Sequence, residues 1–188
     1  MGVFRQFRRR ENMRLFIAVR FPENITAALE DAQKDLKRQG LKGNFSRVQN
    51  LHLTLAFLGE TDDAAFVKAA MDAVGFENID IKLKGAGKFG DLYWAGLEEN
   101  RLLSDYVKRL RGELSARGIW FDPKPFRPHI TLVRKGRAQG NVKVNVRESA
   151  FSAAAVSLMK SERIDGKLVY TQIYSVNSPE MTKTRNTD

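Results

Sequence analysis

The sequence predicts an α+β fold in which most of the sheet is antiparallel. Strand-like segments outnumber helix-like segments, and neighbouring strand-like segments are often joined by short turns, which favours antiparallel pairing. Gly85, Gly87 and Gly90 lie in a turn between two such segments, and the chain holds no G-x-x-x-x-G-K-[ST] sequence. Neither a doubly wound dinucleotide fold nor a phosphate-binding P-loop is therefore supported.

The first half of the chain alternates between strand-like and helix-like segments. Residues 14–21 and 51–58 are apolar and rich in β-formers, so each is predicted to be a strand. Between them, a helix is predicted to begin after Pro22 and to stop at Gly40, and the polar residues 44–50 are predicted to form a loop. The apolar residues at helical spacing in this helix are Ile25, Leu29, Ala32 and Leu36.

A second helix is predicted to follow the second strand. Thr61 is interpreted as its N-cap, with Asp62 and Asp63 suited to the positive end of the helix, and Gly75 as its end. Its apolar residues are Phe66, Val67, Ala70, Met71 and Val74. Alternating apolar and polar residues then predict a half-exposed strand over residues 79–83.

The second half adds further strands around a third helix. A strand is predicted at 92–97, and the helix is predicted to be capped by Asn100 and closed by Gly118. Prolines keep the next stretch extended, and a strand follows at residues 129–133. The remaining predicted strands are an alternating segment at Val142, Val144 and Val146, and the segments 151–158 and 168–176, which flank an Asp165-Gly166 hairpin turn.

Composition limits the class of protein. The 188 residues are 43% hydrophobic and carry a formal net charge of +10, which indicates a globular domain and favours a polyanionic partner such as nucleic acid. Apolar runs such as residues 53–58 are far shorter than the ~18 residues of a membrane span. The absence of cysteine excludes disulfides, iron–sulfur clusters and a cysteine nucleophile, and fits the predicted cytoplasmic location.

Three regions are predicted along the chain. Residues 1–12 form a basic N-terminal extension, residues 13–177 a single bilobal domain, and residues 178–188 a flexible tail. The extension holds Arg5, Arg8, Arg9 and Arg10 against Glu11, and the rest of the chain is still basic. We expect no signal peptide and a monomeric protein.

A tetrapeptide occurs twice and contains both histidines of the chain. His52 begins His-Leu-Thr-Leu, and His129 begins His-Ile-Thr-Leu. In a strand, residues two apart share a face, so His52 and Thr54 point one way while the aliphatic residues enter a core. If the two strands meet about a pseudo-twofold axis, two imidazoles and two hydroxyls converge. Two acid–base groups and two hydrogen-bond donors around one point suit a phosphodiester.

The two motifs resemble the paired H-x-[ST]-x motifs of the two-histidine phosphoesterases. Three segments are also similar to bacterial RNA 2′,3′-cyclic phosphodiesterases, formerly called 2′-5′ RNA ligases. They are residues 13–22 (MRLFIAVRFP), 50–60 (NLHLTLAFLGE) and 126–136 (FRPHITLVRKG). The likeness covers residues 13–175. It implies two pseudo-symmetric lobes of antiparallel sheet with flanking helices around a central cleft.

The resemblance also implies an activity and roles for five residues. The family hydrolyses a terminal 2′,3′-cyclic phosphate to a 2′-phosphate without metal or other cofactor. Carried over, His52 is the proton donor and His129 the proton acceptor, while Thr54 and Thr131 bind phosphate oxygens. Arg134 matches an arginine that the family places at the phosphate. Simple alternation puts Arg134 on the face opposite His129, so a bulge or turn must redirect it.

Other functions stay open at this point. The same site could ligate RNA through a 2′-5′ bond, the domain could bind RNA or a nucleotide without catalysis, or both histidines could bind a metal with Glu60 or Asp62. An RNA substrate would lie along a basic cleft, with aromatic side chains available to stack a base. The candidates are Arg47, Lys88, Lys124, Arg127 and Lys135 for phosphates, and Phe57, Trp94, Trp120 and Phe126 for bases.

Overall fold

The computed structural model describes residues 12–179, so nearly all of the predicted basic extension and of the predicted tail lies outside it. Within this range the chain forms nine β-strands and three α-helices. In chain order they are β1 (Met13–Arg20), α1 (Glu23–Arg38), β2 (Lys42–Phe45), β3 (His52–Thr61), α2 (Ala64–Val74), β4 (Ile79–Phe89), β5 (Leu92–Leu97), α3 (Arg101–Ala116), β6 (His129–Arg137), β7 (Ser149–Ala153), β8 (Ala155–Ile164) and β9 (Lys167–Asn177). A short 3₁₀ turn, Val48–Asn50, leads into β3.

The strands form two antiparallel sheets with a common plan. The four-stranded sheet has the order β3-β1-β8-β9, and the five-stranded sheet has the order β2-β6-β5-β4-β7. In each sheet a motif strand, β3 or β6, pairs with the strand from which it is separated by a 16-residue helix. That strand pairs on its other side with β8 in the four-stranded sheet and with β4 in the five-stranded sheet. The predicted α+β class with two related lobes is confirmed.

The helices determine which face of each motif strand is buried. Helix α1 packs against the five-stranded sheet in a core that contains Ile130 and Leu132 of β6. Helices α2 and α3 pack against the four-stranded sheet in a second core that contains Leu53 and Leu55 of β3. Because side chains alternate along a strand, the histidine and threonine of each motif lie on the face away from these cores.

Helix ends follow the sequence signals with one exception. Asn100 caps α3, since its side-chain oxygen accepts a hydrogen bond from the Leu103 N–H at 2.9 Å. Gly40 and Gly118 follow α1 and α3 at φ values of 82° and 68°, in the left-handed region that favours glycine. The prediction for Thr61 is wrong. Strand β3 continues through Thr61, whose Oγ1 accepts from the Asp63 N–H at 3.1 Å, and Asp63 is the N-cap residue.

Two other boundaries differ from the predictions. The edge strand β2, Lys42–Phe45, pairs with β6 and includes the first two residues of the loop predicted at 44–50. The predicted strand 151–158 is divided near Ala154, because β7 belongs to one sheet and β8 to the other. The Asp165-Gly166 hairpin is confirmed, and both residues have positive φ, at 49° and 74°.

The predicted strand at Val142, Val144 and Val146 is not formed. These valines pack against the core beneath the five-stranded sheet, so their alternation does record a buried side. The backbone, however, joins no strand ladder. Instead the Gln39 side chain accepts from the Lys143 N–H at 2.9 Å and donates to the Lys143 carbonyl at 2.8 Å. The alternation of apolar and polar residues was misleading because one side of this segment is buried although its backbone has no strand partner.

Candidate active site

The two histidines begin the two motif strands and are oriented in the same way. Nδ1 of His52 lies 2.7 Å from the Asn50 carbonyl oxygen, and Nδ1 of His129 lies 2.7 Å from the Arg127 carbonyl oxygen. A carbonyl only accepts, so Nδ1 carries the hydrogen in both rings. Nε2 of each ring is then the nitrogen left for proton transfer. In each motif, the carbonyl group of the residue two positions before the histidine thus fixes the tautomer of the ring.

A β-bulge in each motif strand changes the face taken by the residues that follow. In β6, Thr131 pairs with Trp94 whereas Val133 pairs with Tyr93, so Leu132 is an extra residue. Leu132 and Val133 are both fully buried, and Arg134 consequently emerges on the same face as His129 and Thr131. This is the redirection that the sequence analysis required of Arg134.

The first motif strand carries the corresponding bulge. Thr54 pairs with Ala18 whereas Ala56 pairs with Ile17, so Leu55 is the extra residue in β3. Phe57 therefore shares a face with His52 and Thr54. Phe57 is five residues after the first histidine, as Arg134 is after the second, and the two halves place different chemistry at equivalent positions.

His52 is enclosed by aromatic rings on the cleft face of its sheet. The ring centroids of Phe16 and Tyr170 lie 4.8 Å and 5.2 Å from the imidazole, and Nε2 lies 2.9 Å from the Thr54 hydroxyl oxygen. The pKa of His52 is lowered to about 4, mainly by burial and also by the nearby charges of Arg134 and His129, while the hydrogen bond to the Asn50 carbonyl acts in the opposite direction. His52 is therefore neutral at pH 7 in the free protein.

His129 faces a cleft that also contains Thr54. This cleft has a volume of about 380 Å³. Phe89 points its ring edge-on to the His129 imidazole at 5.6 Å and stacks on Trp94 at 5.0 Å. The other residues that line the cleft are Leu55, Phe57, Arg111, Asp122, Lys124, Pro125, Phe126 and Arg127. The two motifs thus contribute to one cavity with apolar walls and several cations.

Only some of the other predicted contact residues lie at the cleft. Lys124, Arg127, Phe57 and Phe126 line the cleft, and Trp94 lies beneath Phe89. Trp120 is 61% exposed and lines a neighbouring hollow of about 720 Å³ together with Glu60 and Asp62. Arg47, Lys88 and Lys135 are exposed but do not belong to the cleft lining.

Sequence reasoning missed three residues at the site. They are Phe89 beside His129, Tyr170 beside His52, and Arg111 in the cleft wall. Phe89 ends β4, which extends through Gly85 and Gly87 of the predicted turn, and these glycines were a usable signal because glycines let a backbone and its neighbours approach closely. Tyr170 and Arg111 gave no local signal, since their position depends on strand order and helix packing.

Two absences concern the described part of the chain. Residues 12–179 contain no group of three or more His, Asp or Glu side chains placed to bind a metal ion. In the same range, no helix is long and apolar enough to cross a membrane.

The fold and the site together define a two-histidine phosphoesterase, since each sheet carries one His-x-Thr strand and the two strands line a shared cleft with Thr54 and His129. The family model described as "LigT like Phosphoesterase" matches twice, at residues 19–93 and 96–170. The chain belongs to this family. The two matches agree with the repeated arrangement of a strand, a helix and a motif strand.

Relatives and solved structures agree with this assignment. The RNA 2′,3′-cyclic phosphodiesterase of Thermotoga maritima is 33% identical over 131 residues, which cover 65% of this chain and 70% of the relative. The enzyme of the same name from Thermus thermophilus is 30% identical over 175 residues, covering 85% and 87%. The structure of E. coli LigT complexed with 3′-AMP matches at a TM-score of 0.78 with 27% identity, covering 90% of this chain and 99% of that one.

Proposed function

We propose that this protein hydrolyses an RNA-terminal 2′,3′-cyclic phosphate to a 2′-phosphomonoester. The observation that carries the proposal is the paired orientation of the histidines. Both rings commit Nδ1 to a backbone carbonyl, and both motifs contribute to one cleft. Relatives named RNA 2′,3′-cyclic phosphodiesterase and the E. coli LigT structure with 3′-AMP support the substrate class.

The proposed reaction uses one histidine on each side of phosphorus. Water attacks in line with the departing 3′-oxygen, so the group that removes the water proton lies opposite the group that protonates the leaving oxygen. His129 accepts the proton of the attacking water. His52 donates a proton to the 3′-oxygen. Thr54, Thr131 and Arg134 bind the non-bridging oxygens, on which negative charge is spread.

Because the pKa of His52 is low, we expect the bound substrate to bring this imidazole into its protonated form. A neutral imidazole cannot act as an acid, and His52 has a pKa of about 4 in the free protein. An anionic phosphate bound beside the ring favours the imidazolium and raises this pKa. The same anion offsets the charge of Arg134, which lowers the pKa in its absence. We therefore expect His52 to take up its proton together with the substrate.

The cleft walls suit a nucleotide at an RNA end. Phe57, Phe89 and Phe126 offer apolar faces for a base, and Lys124 and Arg127 supply positive charge for the backbone. RNA ligation would run the same chemistry in reverse and needs no further group. The monomeric state and the cytoplasmic location stay predictions from the sequence.

A product analysis tests the proposal. The protein is incubated, with chelator present, with an oligoribonucleotide that ends in a 2′,3′-cyclic phosphate, and the ends formed are separated by chromatography. We expect a 2′-phosphate from the wild type and no product from His52→Ala or His129→Ala. Unchanged substrate with the wild type would favour a non-catalytic binding module. A 3′-phosphate would contradict the assigned leaving group, and activity lost only with chelator would indicate a metal site.

A further inference from the structure

Helices α1 and α3 occupy equivalent places, and each sends one polar side chain to the opposite half of the site. Gln33 and Arg111 are both the eleventh residue of a 16-residue helix. Gln33 Nε2 donates to the carbonyl oxygen of Leu132 at 2.9 Å, and Arg111 Nη2 donates to that of Leu55 at 3.4 Å. Leu132 and Leu55 are the extra residues of the two bulges.

Each side chain makes a second hydrogen bond to the loop that leads into its own motif strand. Gln33 Nε2 donates to the Ser46 carbonyl oxygen at 2.8 Å, upstream of His52. Arg111 Nη1 donates to the Lys124 carbonyl oxygen at 2.8 Å, upstream of His129. We call these two side chains, with the four carbonyls they bind, the cross-brace. Each side chain with its two carbonyls is one arm of the cross-brace. It links the loop before one histidine to the bulge that follows the other histidine.

The bulges require such donors because they interrupt the hydrogen bonding between strands. A buried carbonyl outside the ladder needs another partner, and an unpaired one destabilises the fold. The Leu132 carbonyl receives the Ser46 N–H at 2.9 Å as well as Gln33, and the Ser46 hydroxyl donates to the Thr131 carbonyl at 2.7 Å. The bulge that redirects Arg134 is therefore held by three hydrogen bonds from Gln33 and Ser46.

Gln33 also breaks the pattern of its own helix. It lies in the apolar stripe of α1 and is only 5% exposed, although an unpaired buried amide is unfavourable. A helix that needed only to cover the sheet would carry an aliphatic residue there. Arg111 is similar, since burial lowers the pKa of its guanidinium, which lies over the Phe121 ring at 5.4 Å. At both positions, the hydrogen bond to a bulge carbonyl explains why the buried side chain is polar.

We propose that Gln33 and Arg111 are paired positioning residues of the active site. Gln33 fixes the β6 bulge, and so the placement of Arg134 relative to His129. Arg111 fixes the β3 bulge, and so the placement of Phe57 relative to His52. The inference rests on the proposed function, because it assigns the effect of Gln33 to the phosphate contact of Arg134.

The test compares Gln33 of α1 with Gln39, the C-cap residue that follows the same helix. Gln33→Met keeps length and volume but removes the donor, while Gln39→Met is the matched control, since Gln39 binds the Lys143 backbone away from the motif strands. We expect kcat on the cyclic phosphate to fall about 10-fold to 100-fold for Gln33→Met, the range that misplacement of a reacting group causes. KM should change less, and Gln39→Met should keep the wild-type kcat.

Coupling to Arg134 separates positioning from a merely structural role. In the wild type, Arg134→Ala removes a contact that is in place. In a Gln33→Met background that contact is already misplaced, so the further loss from Arg134→Ala should be several-fold smaller. Equal losses in both backgrounds, with activity expressed per folded molecule, would overturn the inference. If Gln33→Met does not fold, Ser46→Ala is measured in the same cycle, because it removes one of the three hydrogen bonds.

The Arg111 arm is tested in the same way against Phe57. Arg111→Met should raise KM, while Arg109→Met on the exposed face of the same helix should keep the wild-type KM. The rise in KM from Phe57→Ala should be several-fold smaller in the Arg111→Met background, and equal rises in KM would overturn this arm. Wild-type turnover of the cyclic phosphate is measured first. Its absence would contradict the proposed function, whereas normal turnover with no coupling contradicts the positioning role alone.

Discussion

The two halves of the site share a backbone plan but differ in chemistry. Each has a histidine held by a carbonyl, a threonine two residues later and a bulge behind it. His52, however, is enclosed by Phe16 and Tyr170, while His129 lies beside Phe89 at the open cleft. Five residues on, one half has Phe57 and the other has Arg134.

This difference shows how a repeated scaffold can supply an acid and a base. Two nearly identical tetrapeptides, His-Leu-Thr-Leu and His-Ile-Thr-Leu, do not by themselves give the histidines different roles, so any difference must come from their surroundings. In the proposed mechanism, burial keeps the His52 imidazole neutral until an anionic substrate binds, and Arg134 directs that anion to one side. Equivalent substitutions in the two halves should therefore differ in their effects.

Loss of either histidine should have the largest effect. His52→Ala and His129→Ala should each lower kcat about 10²-fold to 10⁴-fold, the usual contribution of a positioned proton-transfer group. The double variant should be little worse than the worse single one, because the pair acts as a unit. Steady-state kinetics on a dinucleotide cyclic phosphate measures this, with circular dichroism as the folding control. Near-normal turnover by either single variant would contradict the two-histidine mechanism.

Substitutions of the two residues that follow the bulges should affect different constants, kcat for Arg134 and KM for Phe57. Arg134→Ala should lower kcat about 10²-fold, as loss of a donor to developing charge typically does, and Arg134→Lys should restore only part of it. Phe57→Ala, at the equivalent position, should mainly raise KM by removing an apolar wall of the cleft. The same kinetic assay distinguishes them. Similar kcat losses in both variants would mean that the halves are chemically more alike than the structure indicates.

Much of the candidate site could be predicted from the sequence because its signals are local. The repeated motif singled out both histidines and threonines as candidates, and alternation showed that Arg134 needs a bulge to share the face of His129. The cross-brace could not be predicted, because the contact from Gln33 to Leu132 spans 99 positions of the chain. Its one local sign was a glutamine within the apolar stripe of α1. Likewise, Tyr170 reaches the site only because the four-stranded sheet orders its strands as β3-β1-β8-β9.

The buried imidazole should make stability depend on pH. As pH falls, the unfolded chain protonates this histidine near 6.5, whereas folded His52 resists protonation until about 4. The unfolded state therefore binds more protons between these values, and the free energy of unfolding should fall by about 3 kcal/mol across that window. Above pH 6.5 the contribution is fully present.

Urea unfolding at pH 7.5 and pH 4 isolates this contribution. Carboxylates also titrate over this range, so the comparison is between the wild type and His52→Gln, which should lose less stability by about that amount. If His52→Gln and the wild type lost equal stability, His52 would not be the neutral buried group described above.

The smallest expected effect concerns the starts of the two equivalent helices. Helix α1 begins at Pro22 without a side-chain cap, whereas Asn100 caps α3 through the Leu103 N–H and also donates to the Asp80 carbonyl at 2.6 Å. Asn100→Ala removes both contacts and should cost about 1 kcal/mol of stability. Pro22→Ala should cost less, because no side-chain hydrogen bond is lost. Neither start touches the cleft, so kcat should stay at the wild-type value in both variants while urea denaturation separates them. A kcat loss in Asn100→Ala would mean that the register of α3, and with it Arg111, depends on this cap, and would link helix capping to the cross-brace.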